Sequence, residues 1–230
     1  MISRLVGQFK MLFPDLIKLY IPSLLLLVSI ALASLITDTR ISNFTRDPAA
    51  IFKANPLFGF LSNTGVIVWT LTIGITFFST TLLSKEKKEG THRSFLFYGG
   101  MFTALLLIDD LFMLHDRIIP YFFGVKENIT LPIYALIALV YVIKFRTLIL
   151  ETDFLLLLIA FIFFGCSIVV DLSQEYASHI HIYGHHIFED GFKFLGIVGW
   201  FGYFFRTCFL TIARYRHHAS HHNEFKEKSV

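Results

Sequence analysis

Long apolar runs separated by short polar stretches organise this chain from end to end. A helix needs about 20 mostly apolar residues to cross the hydrocarbon core of a bilayer, and about six segments qualify. They are about Leu19 to Ile36, Gly65 to Ser84, Phe95 to about Leu114, Leu131 to about Val142 with an extension toward Ile149, Phe154 to about Leu172, and about Gly191 to Ile212. Helix is the predicted element because open strands leave backbone groups unsatisfied in lipid. Pro132 falls in the first turn of the fourth run, where a missing N–H costs little. Residues ahead of the first run carry their own apolar face (Ile2, Leu5, Val6, Phe9, Phe13). That predicts a short interfacial helix before a retained span, although Ala31-Leu32-Ala33 resembles a signal cleavage site. The expected fold class is all-α, a polytopic transmembrane helix bundle forming one domain over 1–230. An interfacial segment over 1–18 precedes the spans over 19–212, and a basic, His-rich tail over 213–230 follows them.

Composition supports the membrane reading. Mean hydropathy is +0.64, and 55% of residues are hydrophobic while only 16% are charged, against about 25% charged in ordinary soluble domains. A water-soluble fold of this size has too little interior for 27 Phe and the accompanying aliphatic residues. The lipid bilayer is therefore the expected surrounding partner. The net charge of +3 is modest, and no basic stripe with interleaved aromatics points to nucleic acid. Lys and Arg are unevenly shared between the two faces. One face would hold Lys85, Lys87, Lys88, Lys144, Arg146, Arg206, Arg214 and both terminal segments, and the other Arg40, Arg46, Lys53, Arg117 and Lys126. The positive-inside rule then places both termini in the cytoplasm, across a plasma or inner membrane. Cys166 and Cys208 lie in apolar runs and read as small buried hydrophobes. Asn43-Phe44-Thr45 and Asn128-Ile129-Thr130, on the expected outer side, are glycosylation acceptors only in a eukaryotic secretory pathway.

Ionisable residues at span ends change the picture from location to chemistry, since charge near lipid is costly. The third run ends in Asp109, Asp110, His115 and Asp116; the fifth in Asp171 and Glu175; the sixth follows His179, His181, His185, His186, Glu189 and Asp190. The topology brings all three ends to the non-cytoplasmic side. Asp171 and Glu175 are i and i+4, on one helix face, and His181, His185 and Glu189 form a similar stripe if helix extends back through Gly184. Asp109 and Asp116 share a face but lie roughly 10 Å apart along the axis, too far for one ion. Imidazoles with carboxylates are ligands of zinc and iron. The expected site is a divalent metal, Zn or Fe, held by His115, Asp171, Glu175, His181, His185 and His186, with Asp109, Asp110 and Glu189 as catalytic carboxylates. The plainer account of each group is a solvated interface residue. For Lys193 it is an intrahelical pair with Glu189 four residues earlier. His217, His218, His221 and His222, with Arg214 and Arg216, read as a tail resting on anionic headgroups.

Two resemblances follow from the histidines. His181-Ile182-Tyr183-Gly184-His185-His186 and His218-Ala219-Ser220-His221-His222 resemble the boxes of membrane fatty-acid desaturases and hydroxylases. Those families gather their boxes on one face, whereas one span separates these two stretches, and a third box is missing. His181 and His185 with His115 and Asp109 or Asp110 are similar to the ligand pattern of transmembrane zinc hydrolases such as alkaline ceramidases and adiponectin receptors. That likeness implies a zinc-activated water. It departs in span number, which is seven there, and in the early Ser-xxx-His motif.

The expected function is a metal-dependent membrane enzyme, a hydrolase or in its carboxylate-rich variant a di-iron oxidase, acting on a lipid-like or apolar molecule at the outer leaflet. The alternatives are a proton- or cation-coupled transporter, or a structural subunit with a satisfied polar cap. The inner halves of the runs are almost purely apolar apart from Thr and Ser in the second, which disfavours a continuous polar path.

Overall fold

The computed structural model describes residues 2–83, 87–124, 127–176 and 185–227, with side chains left undescribed at 2–5, 87–89, 116, 127–128, 131, 174–176, 185 and 216–227. Among the described residues every regular element is helical. Six helices are long and apolar enough to cross a membrane. The chain divides into two units, residues 1–58 and 59–230.

In the first unit, α1 (Ile2–Ile36) is one helix of 35 residues with Pro14 and Pro22 inside it. The helix is continuous across residue 18, where the sequence sets an interfacial segment against the span, and it runs through both prolines, each of which removes one backbone bond. At the α-helical rise it extends about 52 Å, well beyond the hydrocarbon thickness. Two short turns follow, α2 (Ser42–Thr45) and α3 (Pro48–Ile51). Asp47 caps α3, its carboxylate accepting from the Ala49 and Ala50 N–H groups, while Pro48 occupies the first position, where no N–H is needed.

The second unit contains α4 (Phe60–Leu82), α5 (Lys87–Phe112), a π-helical turn (Leu114–Ile118), α6 (Ile119–Phe123), α7 (Glu127–Leu150), α8 (Phe154–Tyr176) and α9 (His185–Glu227). Helix α9 packs along α8 and α4, α4 also packs on α5, and α7 lies against α5. Because α7 starts at Glu127, Pro132 sits in its second turn, and Phe145 marks a kink with φ −108°. The centre is aromatic. Phe95 stacks on Tyr141 and Phe204 with ring centroids 5.4 and 5.9 Å apart, and Trp200 is 1% exposed. Gly99 lets α5 approach closely, since a Cβ there would meet the Phe204 ring at 2.5 Å.

Most polar groups inside this core find partners within their own helix or on a neighbouring one, as a lipid-embedded bundle requires, Thr130 Oγ1 being the exception among the described residues. Thr72, Thr76 and Ser79 of α4 donate to carbonyls one turn back in their own helix. The Trp200 indole donates to Thr103 Oγ1 at 3.0 Å, and the Tyr141 hydroxyl to the Phe95 carbonyl at 3.2 Å. Large apolar side chains such as Phe78, Phe97, Val169 and Phe209 point outward, where lipid rather than protein covers them. Cys208 is buried and Cys166 half-buried, and both are unbridged.

Candidate functional site

Five helices of the second unit, α4, α5, α7, α8 and α9, bring polar side chains to one end. The link between α5 and α6 shapes it. Met113 adopts a left-handed conformation (φ 50°), unusual for a residue other than Gly, and a π-helical turn follows. This interrupts α5 and folds His115 back onto Asp109. The His115 backbone N–H donates to Asp109 Oδ1 at 3.0 Å, and His115 Nδ1 lies 2.5 Å from Oδ2. From α7, the Tyr134 hydroxyl donates to Oδ1 at 2.9 Å. Asp109, only 5% exposed, is thus ringed by three hydrogen bonds. Binding Nδ1 to a carboxylate selects the tautomer that carries its proton there, so that basicity and ligand character reside on Nε2.

Asp110, the next residue, faces the other way. Its Oδ1 pairs with Lys193 of α9, and its Oδ2 accepts from the Trp69 indole of α4 at 3.1 Å. Trp69 is held by Phe164, stacked at 6.0 Å, and by an edge contact with Trp200. The expected Lys193–Glu189 pair within α9 gives way to this pairing across the helices. A carboxylate 11% exposed needs a counter-charge more than one nearer water does. A narrow cleft of about 30 Å³ adjoins the pair, lined by Ser62, Gly65, Asp110, Asp190 and Lys193 among others.

The third part is the junction of α8 and α9. Ser167 Oγ donates to the Glu189 carbonyl at 2.9 Å, tying the two helices together. Asp171 is one turn beyond Ser167 on the same face, which sets it level with the first turn of α9. His186 Nδ1 lies 3.8 Å from Glu189 Oε2 within that turn. Glu175 and His185 have described backbones at the ends of α8 and α9, and His181 lies outside the described residues. Asp109 and His115 are therefore in direct contact, Glu189 and His186 form a second pair, and Asp110 joins Lys193. Among the described residues no three His, Cys, Asp or Glu side chains stand together as a ligand group.

Tyr134 and Trp69 were not singled out by sequence reasoning. Tyr134 carried a readable signal: a polar tip two residues after Pro132, in a run whose start falls at the acidic end. Trp69 carried none, being one more apolar position in its run.

The fold and this polar end define an integral membrane protein of the polytopic, all-helical class. Within that class the chain belongs to the family described as "Domain of unknown function (DUF8692)", whose model matches residues 21–207. No curated protein and no solved structure matches it.

Proposed function

We propose that the protein is a membrane enzyme that uses a divalent metal at this polar end, most simply for hydrolysis of a lipid-like substrate. The observation that carries the reading is the Asp109–His115 contact. Metal-binding histidines almost always give their other ring nitrogen to a carboxylate or carbonyl, which fixes the tautomer and the ring orientation. The donor chemistry suits zinc or iron, with His115 as a ligand and Asp109 as its orienting partner rather than as the base. Asp171, Glu175, His181, His185 and His186 are the side chains from which the two or so further ligands of a catalytic ion would be drawn, and Glu189 is the general base. Asp110 holds Lys193 beside the cleft, where the ammonium neutralises negative charge on a substrate. The metal, when bound, supplies Lewis acidity and a nucleophilic water near neutral pH. Tyr121, Phe122 and Phe123 of α6 are strongly exposed next to this end and suit lateral entry of an apolar chain. The distribution of Lys and Arg supports cytoplasmic termini and a site on the opposite side.

Metal analysis of the full chain, purified without chelators, tests the reading. About one equivalent of zinc or iron is expected for a mononuclear site, lost in His115→Ala and retained in Asp153→Asn at the other end. Wild type without metal would overturn it. The Asp110–Lys193 pair favours the second reading, a proton- or cation-coupled carrier, because an ion pair that joins two helices of a membrane bundle is a device for coupling charge to movement.

A further inference from the structure

The opposite end of the same unit holds a cavity of about 160 Å³ that the proposed chemistry leaves unused. Its walls come from His92 near the start of α5, the tight turn Glu151-Thr152-Asp153 between α7 and α8, and a stretch of α9. On α9, Thr207, Thr211 and Arg214 are spaced i, i+4 and i+7 and so share one face. One wall is pinned in place. Asp153 pairs with Nε of Arg206, and the Thr152 hydroxyl lies 2.8 Å from that of Tyr203, which is fully buried. A guanidinium carries five N–H donors, so a contact at Nε fixes Arg206 while leaving its fork for another acceptor. Arg214 and Glu151 are exposed at the rim and make no ion pair among the described residues.

This lining is neither a pure anion site nor a pure cation site. Two guanidiniums with a threonine hydroxyl suit a phosphate. A carboxylate across the same cavity suits an ammonium only a few bonds from that phosphate. We propose that the cavity binds a phosphoethanolamine-type group, with Arg206, Arg214 and Thr211 on the phosphate and Glu151 on the ammonium. The cavity lies where the apolar stretches Gly90–Phe112, Pro132–Leu150 and Phe154–Ser173 end or begin, so a headgroup is the part of a lipid it would meet. A lipid headgroup and a soluble phosphoamine share this chemistry. A merely basic helix end would instead favour the most anionic lipid present.

Native mass spectrometry of the full chain in detergent tests this, with dioleoyl phosphatidylethanolamine or dioleoyl phosphatidylglycerol at equal concentration. The ethanolamine lipid is expected to be retained about tenfold better, the value of one charge-assisted hydrogen bond. Arg214→Gln should weaken both lipids, whereas Glu151→Gln should abolish the preference and leave the glycerol lipid unchanged. Both positions are exposed, and circular dichroism of the variants checks that the fold is intact. Displacement of the bound lipid by O-phosphoethanolamine would identify the soluble group as a sufficient ligand; retention would identify the lipid. Equal retention of the two lipids, or a preference that survives Glu151→Gln, overturns the proposal.

Discussion

The two ends of the 59–230 unit each join a carboxylate to a cation of α9, yet they use the pair differently. At one end Asp110 meets Lys193 with side chains 11% and 42% exposed, and Trp69 completes the shell. At the other Asp153 meets Arg206 with side chains 43% and 57% exposed, beside an open cavity. Removing one partner from a buried pair strands a charge where water does not reach it, whereas an exposed partner is simply rehydrated. The first end is therefore fastened, and the second is adaptable.

The largest effect should come from Asp109→Ala, which strands the His115 backbone N–H, its imidazole and the Tyr134 hydroxyl together. A loss of about 3–5 kcal/mol is expected from breaking such a buried network, measured by unfolding in mixed detergent micelles. Lys193→Met should follow, at about 2–3 kcal/mol, because Asp110 keeps only its indole donor. Asp110→Asn should cost less than Lys193→Met, since an amide retains the bond to Trp69 and leaves a half-exposed lysine that can hydrate. Gly99→Ala tests the packing between the two ends. Its methyl would press on Phe204 at 2.5 Å and on the Tyr141 hydroxyl at 2.8 Å, for an overpacking cost of about 1–3 kcal/mol. Arg206→Gln should give the smallest change, below about 1 kcal/mol, read in the same unfolding assay.

Much of the fold was legible because lipid imposes a strong constraint on sequence: an apolar run of sufficient length has few alternatives to a spanning helix. The gathering of Asp109, Asp110, Glu189 and Lys193 at one end followed from the order of those runs. The pairing was not legible. In a regular helix residues 109 and 115 project on different sides, and they meet because Met113 turns left-handed, a conformation that its side chain does not advertise. Lys193 had an obvious partner four residues back in Glu189. Its choice of Asp110 depends on burial, and burial depends on how α4, α5 and α9 pack. The sequence reading set residues 1–18 apart from the first span because Ile2, Leu5, Val6, Phe9 and Phe13 form an apolar face of their own, a pattern that does not reveal that one helix carries both stretches. The Glu151-Thr152-Asp153 turn, read only as a link between runs, acquires meaning once Arg206 and Arg214 stand opposite it.

Double-mutant cycles at the two pairs, run in one detergent system, test the contrast most directly. Asp110→Asn with Lys193→Met should show a coupling of about 2 kcal/mol, and Asp153→Asn with Arg206→Gln less than about 1 kcal/mol. Equal couplings, or a larger one at the Asp153 end, would contradict the view that burial fastens one end of the protein and leaves the other open to a ligand.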